Sequence, residues 1–261
     1  MEWVIFLLVG SLAGFSAGLL GIGGGLITVP ALVLILPTLG FSSDDVMHIA
    51  IATSLAAIVP TALLSAYKHN THQSINWHFA GLLFPGLVLG SVLGVIVAVD
   101  ISRVPLQIFF SLFLIIVSFY MFFGQPVPQP ASTSNKVITR LTSIIIGAIS
   151  ALLGVGGGTM TVPFLVWRGL KPQVAVGTSA FCGIPIALTA VLVFIITASI
   201  GSINDLGSFI HWQALLFIIL GSMLFTPLGA NFAHQLSTDK LKRIFAILLI
   251  FVSIELILDV I

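Results

Sequence analysis

A run of apolar segments constrains this chain more than any other feature. They fall at about 3–20, 26–36, 46–67, 78–99 and 104–123, and again at 137–153, 159–167, 172–200, 212–234 and 241–258. Only 7% of the residues are charged and 58% are apolar, whereas a soluble domain has about 25% charged residues. Because no water-soluble core could bury so much apolar surface, the sequence predicts an all-α membrane protein.

Charge and cysteine content exclude several classes of function. The net charge is +1, which argues against a nucleic-acid partner. Cys182 is the single cysteine, so the chain has no internal disulfide. The amino-terminal residues Met1 to Trp3 lack the basic stretch of a cleavable signal peptide, so we expect the first segment to be a retained helix. We expect no cofactor, because Leu26 stands where a dinucleotide-binding fingerprint needs its third glycine.

The two series of segments repeat the same landmarks in the same order. At an offset of 133 residues, Gly-Ile-Gly-Gly-Gly followed by Thr-Val-Pro in the first series matches Gly-Val-Gly-Gly-Gly followed by Thr-Val-Pro in the second. A Thr-Ser pair and a proline match at an offset of 125, and a tryptophan and two glycines match at an offset of 135. The sequence therefore predicts a first transmembrane repeat at 1–123, a cytoplasmic linker at 124–136 and a second repeat at 137–261.

Each repeat is predicted to contain about four long transmembrane segments and one half-helix after a glycine-rich break. Segments 26–36 and 159–167 are too short to cross a hydrocarbon core of about 30 Å. Each either folds back as a hairpin or continues as one broken crossing helix. The hairpin places every Lys and Arg except Arg103 on one side of the membrane. It predicts both termini outside and the second repeat inverted relative to the first, a plan that recurs in secondary transporters.

The glycine breaks are the candidate substrate site. Irregular backbone at membrane depth survives only where protein or a water-filled cavity satisfies its polar groups. The N–H groups and positive dipole end of each short helix point back toward its break, and two such ends could bind an anion without a buried lysine. Close helix packing is the competing explanation for the glycines. The predicted binding residues are the loop glycines and nearby hydroxyls: Gly23, Gly24, Gly25, Thr28, Thr53, Ser54, Gly156, Gly157, Gly158, Thr161, Thr178 and Ser179.

These residues resemble the motif positions of the sulfite exporter TauE/SafE family of bacterial membrane permeases. The similarity covers nearly the whole chain and rests on the doubled glycine loop, the Thr-Val-Pro that follows it and the Thr-Ser pair of each third segment. The resemblance implies a multi-pass protein of the cytoplasmic (inner) membrane that moves a sulfur-containing anion such as sulfite or an organosulfonate. It leaves open which anion is carried, the direction of transport, the coupling ion and the formation of a homo-oligomer.

The main prediction is an alternating-access transporter in which one half rocks against the other. The alternatives are a transporter of an unrelated small solute, a channel, an intramembrane enzyme and a membrane scaffold without transport, although a scaffold would not require paired broken helices. A channel of the same architecture would show flux that does not saturate. A metal site among His69, His72 and His78 lacks a carboxylate or cysteine to complete it, so we expect no metal. An intramembrane enzyme would need a nucleophile with a base, and Cys182 has no evident partner, so we expect no enzymatic activity. The expected partners are a small anionic solute and membrane lipid.

Overall fold

The computed structural model describes residues 2–42, 44–124, 136–200, 209–233 and 238–260, and their regular structure is entirely helical. Ten α-helices and one short 3-10 helix (Leu36–Leu39) are present in this part of the chain. The α-helices are α1 (Glu2–Leu20), α2 (Gly25–Ile35), α3 (Val46–Thr71), α4 (Trp77–Asp100), α5 (Arg103–Phe123), α6 (Lys136–Leu152), α7 (Gly158–Trp167), α8 (Pro172–Ile200), α9 (Trp212–Ala233) and α10 (Thr238–Leu258).

Helix lengths confirm the predicted all-α membrane protein. Six helices (α1, α3, α4, α5, α8 and α9) are long and apolar enough to cross a membrane. The 17 residues of α6 fall just short of that length. The 11 residues of α2 and 10 of α7 reach only about 15–17 Å at 1.5 Å per residue, as expected for half-helices. Residues 125–135 of the predicted linker lie outside the described part of the chain.

The outer surface of the helices is apolar. Large side chains stand exposed along α5 and α10, with Phe123 70% and Phe251 71% exposed. Trp77 and Trp212 begin α4 and α9 and are also exposed, where interfacial aromatic anchors are expected. Lipid is the medium that such a surface fits.

Helices of the first repeat pack closely against helices of the second. α1 runs parallel to α9, and α4 runs parallel to α6. A methyl group added to Gly14 of α1 would lie 2.4 Å from Cα of Ser222, and one added to Gly90 of α4 would lie 2.0 Å from the carbonyl oxygen of Ile144. Only glycine permits such backbone contact, so small residues set these two interfaces.

The centre of the molecule is formed by α3 and α8, which run antiparallel. Gly177, near the start of α8, packs on His69 near the end of α3, while Gly183 packs on Ala62 farther back. α4 packs beside α8 and α9 beside α3, and the half-helices α2 and α7 lie against α3 and α8 respectively. These contacts of α3 are therefore matched by contacts of α8 with the equivalent helices exchanged.

The fifth helices of the two repeats also run antiparallel. Nε2 of Gln107, early in α5, donates to the carbonyl oxygen of Leu256, late in α10, at 3.0 Å. Farther along α5, Oγ of Ser118 donates to the carbonyl oxygen of Ala246 at 2.6 Å. Both polar side chains are fully buried, so these bonds fix the register of α5 and α10 within the apolar surroundings.

The first glycine break turns the chain back on itself. A methyl group at Gly24 would lie 2.9 Å from the carbonyl oxygen of Ala13, in the middle of α1. A helix that continued in the direction of α1 would carry residue 24 roughly 16 Å beyond residue 13, at 1.5 Å per residue. This contact favours the hairpin over the broken crossing helix.

Candidate functional site

Both half-helices begin at a glycine with left-handed backbone. Gly24 precedes α2 with φ 84°, and Gly157 precedes α7 with φ 75°. Side chains other than glycine rarely adopt this region. The first intrahelical bonds run from N–H of Ile27 to the Gly24 carbonyl (3.0 Å) and from N–H of Met160 to the Gly157 carbonyl (3.2 Å). The N–H groups before these have no acceptor within their own helix, so each helix start presents donors and a positive dipole end.

The two glycine loops meet at the centre of the molecule. A methyl group on Gly23 would lie 2.8 Å from Cα of Gly156, and one on Gly158 would lie 1.9 Å from the carbonyl oxygen of Gly21. The backbones of the loops are therefore in direct contact, which explains why glycine is needed on both sides. The predicted loop residues of the two repeats are brought together as a single structure.

Two serines tie each loop to the other repeat. Oγ of Ser54 in α3 donates to the carbonyl oxygen of Gly154 at 2.9 Å, and Oγ of Ser179 in α8 donates to that of Gly21 at 3.1 Å. Both hydroxyls are fully buried. Each serine thus holds the first glycine of the opposite loop in place. Substrate contact by these serines stays a prediction.

The threonines of the two Thr-Ser pairs form hydrogen bonds at opposite ends of the molecule. Oγ1 of Thr53 accepts from N–H of His211, just before α9, at 3.0 Å. Oγ1 of Thr178 accepts from N–H of Asn76, just before α4, at 2.9 Å. These contacts again cross between the repeats. A substrate role for the two threonines also stays a prediction.

Sequence reasoning missed that Asn76 and His211 cap equivalent helices. Oδ1 of Asn76 accepts from N–H of Phe79 at 3.1 Å, and Nδ1 of His211 accepts from N–H of Ala214 at 2.9 Å. Desolvation lowers the pKa of His211, which favours the neutral ring that this cap requires. The signal was available, because both residues directly precede the tryptophans matched at an offset of 135.

The threonines of the half-helices differ in their hydrogen bonding. Oγ1 of Thr28 donates to the carbonyl oxygen of Gly24 at 3.2 Å. Oγ1 of Thr161 is fully buried and has no hydrogen-bond partner among the described residues, as is true of the Thr159 hydroxyl. A methyl group on Gly157 would lie 3.7 Å from Oγ1 of Thr161. The α7 start therefore has buried hydroxyl groups available for a ligand.

A pocket adjoins the contact between the loops. It is lined by small residues and one serine, and it is too narrow to admit a water molecule: Ala17, Gly21, Gly23, Ala62, Ser65, Gly156, Ala180 and Gly183. No Lys or Arg is among the buried residues of the described chain. Backbone N–H groups and hydroxyls are therefore the donors that this centre offers, and it is closed in this conformation.

The serine bonds between the repeats give a testable prediction. Ser54→Ala or Ser179→Ala would leave a buried carbonyl oxygen without its partner, at a cost of about 1–3 kcal/mol. We expect a lower midpoint of thermal unfolding in detergent for both variants. Ser11→Ala is the matched control, because among the described residues the Ser11 hydroxyl bonds within its own helix, to Leu7. Equal midpoints for Ser11→Ala and Ser54→Ala would contradict the proposed role of the serine.

Comparison with known proteins indicates a family of membrane transporters. The family model described as sulfite exporter TauE/SafE matches residues 6–256. A probable membrane transporter protein of Haemophilus influenzae is 36% identical, over 98% of each chain. A probable membrane transporter protein of Xylella fastidiosa is 30% identical over 95% of this chain and 92% of its own, and YunE of Bacillus subtilis, another probable membrane transporter protein, is 25% identical over 99% and 98%. No solved structure gives a significant match.

Proposed function

This chain belongs to the sulfite exporter TauE/SafE family of membrane transporters, and we propose that it carries a small anion, a sulfur oxyanion such as sulfite or an organosulfonate. The family supports the substrate class, and the chemistry of the centre supports the charge. We place it in the cytoplasmic (inner) membrane with both termini outside, on the distribution of Lys and Arg.

The observation that carries the proposal is the meeting of two glycine-capped helix starts at the centre. Gly24 and Gly157 each begin a half-helix with free N–H groups, and contact between Gly23 and Gly156 brings the loops together. Helix starts of this kind bind anions through N–H donors and the helix dipole. The buried hydroxyl of Thr161, which has no hydrogen-bond partner among the described residues, adds a donor. An oxyanion has several acceptor oxygens and suits such a set of donors.

We propose that the two repeats are related by inverted topology. The equivalent helices α3 and α8 run antiparallel, as do α5 and α10. A twofold axis that exchanges two antiparallel helices is perpendicular to both of them. Because the helices cross the membrane, this axis lies in the membrane plane, as in many secondary transporters. The closed centre favours a carrier over an open channel.

Rocking of one repeat against the other, which the sequence suggested, is difficult to reconcile with the packing. The α1–α9 and α4–α6 contacts join the repeats at backbone distance. Rocking the repeats apart would break both interfaces. We propose instead that these two helix pairs move as units against the central α3–α8 pair, which opens the loops to each side in turn.

Ligand-induced stabilisation tests the substrate class. The purified protein should show a higher midpoint of thermal unfolding with sulfite, thiosulfate or an organosulfonate than with chloride or acetate. A ligand that binds only the folded state at 100 times its Kd adds about 2.7 kcal/mol. The shift should disappear in Gly157→Leu, which fills the start of α7. No shift with any anion would contradict the proposal.

A further inference from the structure

The pocket beside the glycine loops lies on one side of their contact. It extends from Gly23 and Gly156 past Gly183 to Ser65. One turn beyond Ser65 on α3 lies His69, which is fully buried. This is the end that carries the α3–α4 connection.

The internal repeat shows where a second pocket of the same kind would lie. The matching threonine and serine bonds establish that α3 and α8 are equivalent at an offset of 125 residues. At this offset Ala180 and Gly183, which line the pocket, correspond to Leu55 and Ile58. Both larger side chains are buried, and a methyl group on Gly156 would lie 3.2 Å from Cγ2 of Ile58. The equivalent space on the other side is therefore filled.

The approaches to the two sides also differ in polarity. Ser65 and His69 correspond to Ala190 and Phe194. Nε2 of His69 donates to a carbonyl oxygen of α1 at 3.0 Å. Phe194 is buried, and its ring lies 6.3 Å from that of Phe209. One approach thus has a hydroxyl and an imidazole, and the other has an alanine and two phenylalanine rings tilted 47° to each other.

We infer that the anion reaches the paired glycine loops from the α3–α4 end, past His69 and Ser65, because this closed approach needs less displacement of side chains to open than the opposite one, which Leu55, Ile58 and Phe194 fill. The inference rests on the proposed transport of an anion through this centre. Small residues line this approach, so it can open with little movement of side chains. The Ser65 hydroxyl and the His69 ring also make it more polar than the opposite approach, which lowers the cost of passage for a desolvated anion.

Cysteine accessibility tests the route without measuring transport. Cys182→Ala, which copies Ala57 of the first repeat, provides a cysteine-free background. Ser65→Cys and Ala190→Cys are then introduced separately, and Thr71→Cys, at the exposed end of α3, marks the side of the membrane. A membrane-impermeant thiol reagent is applied from each side of sealed vesicles without added anion.

We expect Ser65→Cys to react from the same side as Thr71→Cys and at least about ten times faster than Ala190→Cys. The approach lined by small residues should open more often, and a minor conformational state is about 0.1–10% populated. Equal rates, faster reaction of Ala190→Cys, or reaction of Ser65→Cys from the other side would overturn the inference. Denatured samples should label equally, which checks that both thiols are present.

A substitution that fills the pocket provides an independent test of the route. Gly183→Ile copies Ile58 into the pocket, and in the Ser65→Cys background it should reduce labelling to the rate of Ala190→Cys. Gly81→Ile, on the exposed face of α4 where an added methyl meets nothing within 4 Å, should leave the rate unchanged. Unchanged labelling in Gly183→Ile would overturn the route. If the labelling rates are as expected but sulfite and organosulfonates do not slow the labelling of Ser65→Cys, the route is supported and the proposed identity of the anion is contradicted.

Discussion

Gly157→Ala should reduce anion transport into proteoliposomes by at least about tenfold, a change of about 1.4 kcal/mol in the transport barrier. Gly157 has φ 75°, and left-handed backbone costs a non-glycine residue roughly 1–2 kcal/mol. The chain can relax that strain by turning the peptide groups at the start of α7, which misdirects the N–H donors. The added methyl would also lie 2.4 Å from Cδ1 of Ile186 and 3.7 Å from the Thr161 hydroxyl, and would narrow the space beside both.

Gly40→Ala is the matched control for backbone strain. Gly40 has φ 86° at the end of the 3-10 helix, and a methyl group there meets nothing within 4 Å. Both variants should lower the unfolding midpoint by a similar amount, since Ile186 can move its terminal methyl. Only Gly157→Ala should lose transport. Normal flux in Gly157→Ala, or equal loss in Gly40→Ala, would remove the start of α7 from the substrate site.

The sequence was sufficient to predict the helices because membrane segments are encoded locally. Predicted segment 26–36 is α2 at Gly25–Ile35, and predicted segment 159–167 is α7 at Gly158–Trp167. Gly-Gly-Gly before a short apolar run indicated a break, and the left-handed glycines at both helix starts confirm it. Both signals depend on neighbours in the chain, which a single sequence displays directly.

The contacts of the polar side chains could not be predicted in the same way. Ser54 and Gly154 are 100 residues apart in the chain, and Thr53 and His211 are 158 residues apart. The repeat identifies such residues as equivalent but does not reveal their partners. A buried hydroxyl in a membrane helix can bond to its own helix, to another helix or to a solute. Only the packing of α3 against the second glycine loop and the start of α9 brings these particular partners together.

Residues that differ between equivalent positions of the two repeats are also informative about function. Matching residues identified the loops, yet the pocket exists because Gly183 does not match Ile58. A carrier needs equivalent halves to form two conformations of comparable energy. It also needs differences between them, because a molecule with identical halves would favour neither conformation. We therefore expect the residues that differ between α3 and α8 to determine which conformation the resting protein prefers.

Gly90→Leu should prevent stable folding, because it forces α4 away from α6. A methyl at Gly90 would already lie 2.0 Å from the carbonyl oxygen of Ile144 and 2.8 Å from the backbone nitrogen of Ala148. Backbone atoms cannot move aside as a side chain can, and overpacking of a tight interface costs typically about 1–3 kcal/mol and occasionally more. The same contact holds the α4–α6 pair together during the proposed transport cycle.

Gly81→Leu makes the same substitution on the same helix, where the added side chain faces open space. We expect Gly81→Leu to elute as a single symmetric peak in detergent and to transport normally, and Gly90→Leu to aggregate or to unfold at a much lower temperature. A well-folded, active Gly90→Leu would show that α4 and α6 separate without cost. The paired helices could then not be the rigid units of alternating access, and motion between the repeats would become the better description.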